Sequence, residues 1–203
     1  MTGSPFISDA KTYARWKSLV NRCVHTDRRL PSQVFDECFG HFRFEEIDWL
    51  MSSDGWPWLQ SMCRRSGDEQ LLMGVIEPDP ETYFHAAFGV YSWIELSPDM
   101  SAEGYSDALW FAPKESHTDN IVITARSLVW VPASGQWVAW GDREYEVCVL
   151  ASRDSGLASE WHDVEWAVDV PLAMSLRIRP GQVDLPPAVA QFRMNYGHIR
   201  EGR

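Results

Sequence analysis

The stretch SLVWVPASGQWVAWGDREYEVCVLA, residues 127–151, decides the fold. Runs rich in β-branched and aromatic residues, 121–131, 136–140 and 144–151, are separated by PASG and by GD. Such side chains suit a pleated, buried surface, and both separators are turn formers. Residues 121–151 therefore read as an antiparallel meander, with Gly141–Asp142 supplying a tight hairpin turn. Successive side chains of a strand leave on opposite faces. Trp137 and Ala139 thus share one face of the middle strand, and Val138 and Trp140 the other. Tyr145, Val147 and Val149 line one face of the third run. The two tryptophans of the middle strand cannot form one exposed stripe, so at least one packs in the core.

Upstream, the spacing turns helical. Tyr13, Trp16, Val20 and Cys23 recur on one face behind Ser8, a capping residue, and Asp9, which suits the positive end of a helix. A second helix is predicted from Pro31–Ser32 to Gly40, with Val34, Phe35, Cys38 and Phe39 as its apolar stripe. FEEIDWLMSS predicts a third, with Ile47, Leu50 and Met51 inward. A fourth starts at Pro57 and closes at Gly67. Strands are expected over 70–77 and 90–96, a helix capped by Ser101 over 101–111, further strands at VEWAVDV and LRIR, and a last helix from DLPP. The class is α+β: N-terminal helices packed on one side of a mainly antiparallel β-sheet. A single domain covers 1–203, helical over about 8–66, sheet-rich over about 70–180, and closed by a short C-terminal helix.

Composition narrows the function. The chain has 203 residues, 29 acidic against 18 basic, and a formal net charge of −11. Such a field repels nucleic acid and anionic membrane and attracts basic partners. No apolar run is long enough to span a bilayer, and the N-terminus shows no basic segment followed by an apolar one. A cytoplasmic location is the expectation. The four cysteines form no CxxC pair and sit at apolar positions, as buried free thiols do. His162 and Glu165 stand three apart, two groups where a metal needs three or four, so neither metal nor cofactor is expected.

No nucleophile elbow, P-loop, dinucleotide fingerprint or HExxH is present. What remains is acidic groups interleaved with tryptophan. EPDPE sets Glu77, Asp79 and Glu81 at alternate positions of a proline-stiffened edge. FEEIDW sets Glu45, Glu46 and Asp48 around Trp49. DGWPW carries Trp56 at a helix entrance, and WGDRE carries Trp140 and Asp142. Carboxylates for steering and rings for anchoring are what a basic protein partner requires. These ten residues are the expected binding surface of an acidic protein that occupies a basic protein, for example as an immunity-type inhibitor of a cationic toxin. The alternatives are a hydrolase or transferase with carboxylates in a tryptophan-lined pocket, and an assembly subunit.

Overall fold

The computed structural model describes residues 3–159 and 185–197. Its centre is one antiparallel sheet of β1 (Phe6–Ile7), β2 (His41–Glu46), β3 (Leu71–Glu77), β4 (Tyr91–Leu96), β5 (Ser127–Pro132), β6 (Trp137–Asp142) and β7 (Val147–Ser152), in the order β1-β4-β3-β5-β6-β7-β2. The helices are α1 (Ala10–Cys23), α2 (Ile47–Leu50), α3 (Trp56–Ser66), α4 (Ala86–Phe88), α5 (Ala102–Trp110), α6 (Ile121–Thr124), α7 (Ser155–Ser159) and α8 (Leu185–Tyr196). A π-helical turn, Pro80–His85, leads into α4. The class is α+β, with mostly N-terminal helices followed by a multistranded sheet. VEWAVDV and LRIR lie outside the described residues.

The meander forms, but its outer strands are shorter than read: residues 121–124 form helix α6, so β5 begins at Ser127, and β7 begins at Val147; every residue of β5, β6 and β7 is buried. Val129, Trp140 and Val149 stand side by side across the three strands. Both faces of these strands are apolar, so both need a cover. The helices accordingly divide between them, where one side was expected. Val138, Trp140 and Val149 pack with α1, with Val34, Phe35 and Phe39, and with Phe192 of α8. Trp137, Ala139 and Leu150 pack with α2, α3, α5 and α7.

Four other local readings are corrected. Residues 31–40 form no helix: Val24 and Phe35 make a β-bridge, and the His25 N–H donates to Val34 O at 2.7 Å. The chain doubles back on the end of α1, which buries Val34, Phe35 and Phe39 and leaves Cys38 exposed. Residues 41–46 form strand β2 before the short helix at Ile47; Phe42 and Phe44 alternate inward with period two, paired to Ala151 and Val149. Gly141 and Asp142 belong to β6, and the chain turns after them, with Glu146 at φ 54°. Gly141 answers a different need, because a Cβ there would lie 2.8 Å from Ile47 Cδ1. Asp9 rather than Ser8 caps α1, accepting the Thr12 N–H at 2.7 Å.

The tryptophans bind the layers together. Trp16, Trp56, Trp93, Trp130, Trp137 and Trp140 are buried. A buried indole N–H needs an acceptor, and most find one on another element. Trp130 donates to Tyr105 Oη at 3.1 Å, and Tyr105 donates on to Leu50 O at 2.8 Å, joining β5, α5 and α2. Trp56 stacks on Tyr105 with centroids 4.4 Å apart and donates to Met100 O. Trp137 donates to Ser66 Oγ, which donates to the buried carboxylate of Asp68; Asp68 also accepts the Ser134 N–H at 2.6 Å, tying the end of α3 to the β5–β6 turn. Trp93 donates to Val75 O at 2.8 Å, its indole lying over the backbone of Gly74.

Two tests follow from this packing. A Cβ on Gly74 would meet the Trp93 indole at 3.0 Å. Gly74→Val should destabilise the fold by about 1–3 kcal/mol in urea denaturation, as overpacking of a core does; an unchanged midpoint would mean that the indole moves aside freely. Cys23, Cys63 and Cys148 are buried, whereas Cys38 is exposed, with burial of its sulfur and a hydrogen bond to Asp36 pushing its thiol up to about 11. Native protein should therefore label at Cys38 first, slowly, and faster as pH rises past 9. The other three should label only on unfolding, which peptide mapping after timed alkylation would show.

Candidate functional site

The structure scatters the ten sequence-predicted residues. Trp56 and Trp140 are core residues and present nothing to a partner; Trp140 Nε1 is buried without a hydrogen-bond acceptor. Glu45 is buried on β2, its Oε1 accepting the Glu46 N–H. Trp49 is half-buried against Trp58, centroids 6.2 Å apart. Glu46 is half-buried at the end of β2, and Asp48 is exposed. Asp79 caps the π-helical turn, accepting the N–H groups of Glu81 and Thr82. Much of the expected acidic edge is answered within the chain: Lys17 meets Glu81 at 2.5 Å, Arg143 meets Asp48 at 2.6 Å, and Arg29 pairs with Glu77. Exposed pairs of this kind contribute about 0–1 kcal/mol each.

Glu77 and Asp142, far apart in sequence, do come together. Glu77 stands opposite Ser127, and Ser127 opposite Asp142, so β3, β5 and β6 end in a polar row. A cleft of ≈ 420 Å³ opens there, lined by Arg29, Glu77, Arg126, Asp142, Arg143 and Glu144. Main-chain bonds lace its floor: Arg126 N–H to Glu77 O at 2.7 Å and Arg143 N–H to Arg126 O at 2.9 Å. Arg29 donates to buried Ser127 Oγ at 3.2 Å. Asp142 is 3 % exposed, and burial pushes its carboxyl up to about 6. The described residues of its walls are arginine and carboxylate, not the tryptophan that the hydrolase or transferase reading requires. Among the described residues, no group of three or more His, Cys, Asp or Glu could hold a metal ion. His162 and Glu165 lie outside the described residues.

A second surface was missed in the sequence. Glu103, Asp107 and Trp110 stand four and three apart on α5, one stripe of the helix, and all three are exposed; Tyr105, Ala108 and Leu109 are buried. Trp110 is 56 % exposed, and α6, packed beside α5, exposes Ile123 at 58 %. Tyr83 is exposed as well, donating to Asp119 just ahead of α6 at 2.7 Å. Beneath them Phe6 meets edge to face both Phe111, the residue after Trp110, and Phe84, the residue after Tyr83. Glu115 follows, beside a single Lys114. The signal available was an outward-facing tryptophan in register with two carboxylates of a capped helix.

Asp142 generates a pH prediction. Its folded value, about 6, lies above its ordinary 3.8, so the folded state holds the extra proton between them. Stability from this group is full below 3.8, falls as pH rises to about 6 and is flat above. Asp142→Asn keeps the acceptor for the Glu144 N–H and removes the buried charge. The variant should match the parent near the lower limit and exceed it by about 2–3 kcal/mol near neutrality in urea titrations; parallel pH curves would refute the burial effect. The chain matches no known family model, no curated protein and no solved structure, so what these sites can do follows from their own residues.

Proposed function

We propose that this chain is an acidic binding protein that occupies a basic surface on a protein partner, an immunity-type inhibitor of a cationic toxin being one instance. The observation that carries the reading is the exposed stripe Glu103–Asp107–Trp110, flanked by Ile123 and Tyr83. Among the described residues four large apolar side chains are exposed, and three of them, Tyr83, Trp110 and Ile123, lie on these neighbouring elements. Exposed aromatics gathered in one place mark an interaction surface, and tryptophan is the residue most enriched at binding hot spots. The net charge of −11 selects the partner's sign. It steers cations in, while the rings supply the lasting contact that exposed ion pairs do not. Asp48, Asp79 and Glu81 remain exposed and contribute to the field rather than to the anchor.

The test uses a partner captured from lysate at low salt and purified. That partner should be basic. Glu103→Lys with Asp107→Lys should slow association and flatten its salt dependence. Trp110→Ala should leave association nearly unchanged and speed dissociation by about thirtyfold, the equivalent of about 2 kcal/mol at a hot spot. An acidic partner, or charge reversal without effect on association, overturns the reading.

A further inference from the structure

The partner surface leaves the cleft at the end of β3, β5 and β6 without a role. We infer that this cleft binds a small polyhydroxylated molecule carrying an oxyanion, either phosphate or carboxylate. Its volume, ≈ 420 Å³, falls in the range of small-molecule sites. Its chemistry has two halves. Three guanidinium groups converge from separate segments: Arg29 after α1, Arg126 ahead of β5 and Arg143 after β6. Arg143 is engaged by Asp48 and by Val122 O. Arg29 is held by Ser127 and Glu77. Arg126 is different. Its side chain is 77 % exposed and its ion-pair contact with Glu77 is 3.8 Å, longer than a hydrogen bond. A planar fork of donors therefore stands at the mouth with its bidentate capacity open, the geometry that recognises phosphate and carboxylate.

The other half is acceptors. Asp142 and Glu144 line the same space, and one Asp142 oxygen is occupied by the Glu144 N–H at 2.9 Å. Carboxylates so placed accept from hydroxyl groups. A bare anion would gain from the arginines and be opposed by the three carboxylates. A neutral sugar would leave Arg126 unanswered. A molecule with an oxyanion at one end and hydroxyls along its frame satisfies both. Among the described residues the lining has no aromatic or aliphatic wall on which a nucleobase could stack, so a nucleotide fits less well. The site is set in advance, because main-chain bonds through Arg126 fix the strand ends and the turn after β6.

Isothermal titration of the full chain tests this with glucose 6-phosphate, gluconate, glucose and inorganic phosphate. One of the first two should bind saturably, and which one does identifies the oxyanion; glucose and inorganic phosphate should bind at least about tenfold more weakly, since each lacks one set of charge-assisted or hydroxyl contacts. Arg126→Ala, at an exposed position that the fold does not need, should weaken binding about tenfold, and Arg126→Lys should fall between, keeping the charge without the fork. Trp110→Ala should leave the titration unchanged, which separates this site from the partner surface. Failure of both oxyanion-bearing ligands to bind overturns the inference. So does inorganic phosphate binding as tightly as glucose 6-phosphate, or an affinity indifferent to Arg126→Ala.

Discussion

Burial of β6 on both of its faces is the constraint from which the architecture follows. Trp137 leaves one side of this strand and Trp140 the other, and neither is exposed at all. An antiparallel sheet can leave one face wet; this one cannot, because its central strands carry large apolar groups on both. Each face must then be covered by elements drawn from different parts of the chain. α1, the 30–39 segment and α8 cover the Trp140 side, while α2, α3, α5 and α7 cover the Trp137 side. The indole N–H groups then become cross-layer ties, and the Trp130–Tyr105–Leu50 relay is the clearest of them. An unanswered buried N–H costs about 1–3 kcal/mol, so most of these rings sit where an acceptor is within reach; Trp140, whose Nε1 has none, is the exception.

The same constraint places the charges. A strand buried on both faces has no room for ionised groups along its length, so they collect where the strands end. Glu77, Ser127 and Asp142 are aligned by register alone, as opposed positions on adjacent strands. Arg126 and Arg143 flank those ends in sequence, and Arg29 reaches them from the loop after α1. The cleft is thus a product of the sheet's edge rather than of any local motif. The pKa of the Asp142 carboxyl is raised because the neighbouring strands exclude water from it.

Much of this was legible in the sequence where one period dominated. The meander, strands β3 and β4, α1, α5 with its Ser101 cap and the Gly67 stop of α3 all carry local signals strong enough to survive packing. The misses share a cause. Val34, Phe35, Cys38 and Phe39 are spaced as a helical face, yet the segment pairs with Val24 and turns back, a tertiary contact that spacing does not encode. Phe42 and Phe44 did carry a two-residue alternation, but the helical signal of Ile47, Leu50 and Met51 overlapped it. For the sites, residue type was readable and depth was not. Trp56 and Trp140 looked like anchors and are core, whereas Trp110 sat in a correctly read helix and went unremarked, because outwardness depends on what covers the opposite face.

Charge distribution also separates the two surfaces by mechanism. Around α5 the exposed groups are Glu103, Asp107 and Glu115 against Lys114, with apolar rings between them, so a large cationic surface gains both long-range attraction and desolvated contact. In the cleft, arginines and carboxylates are balanced three against three among the described residues, which cancels their far field and leaves short-range, directional bonding. A protein partner is too large to exploit donors and acceptors recessed among strand ends, and a small polar molecule gains little from an open aromatic stripe. The acidic chain therefore carries one surface suited to steering and another suited to geometry, the first on helices packed against the sheet and the second at the ends of its strands.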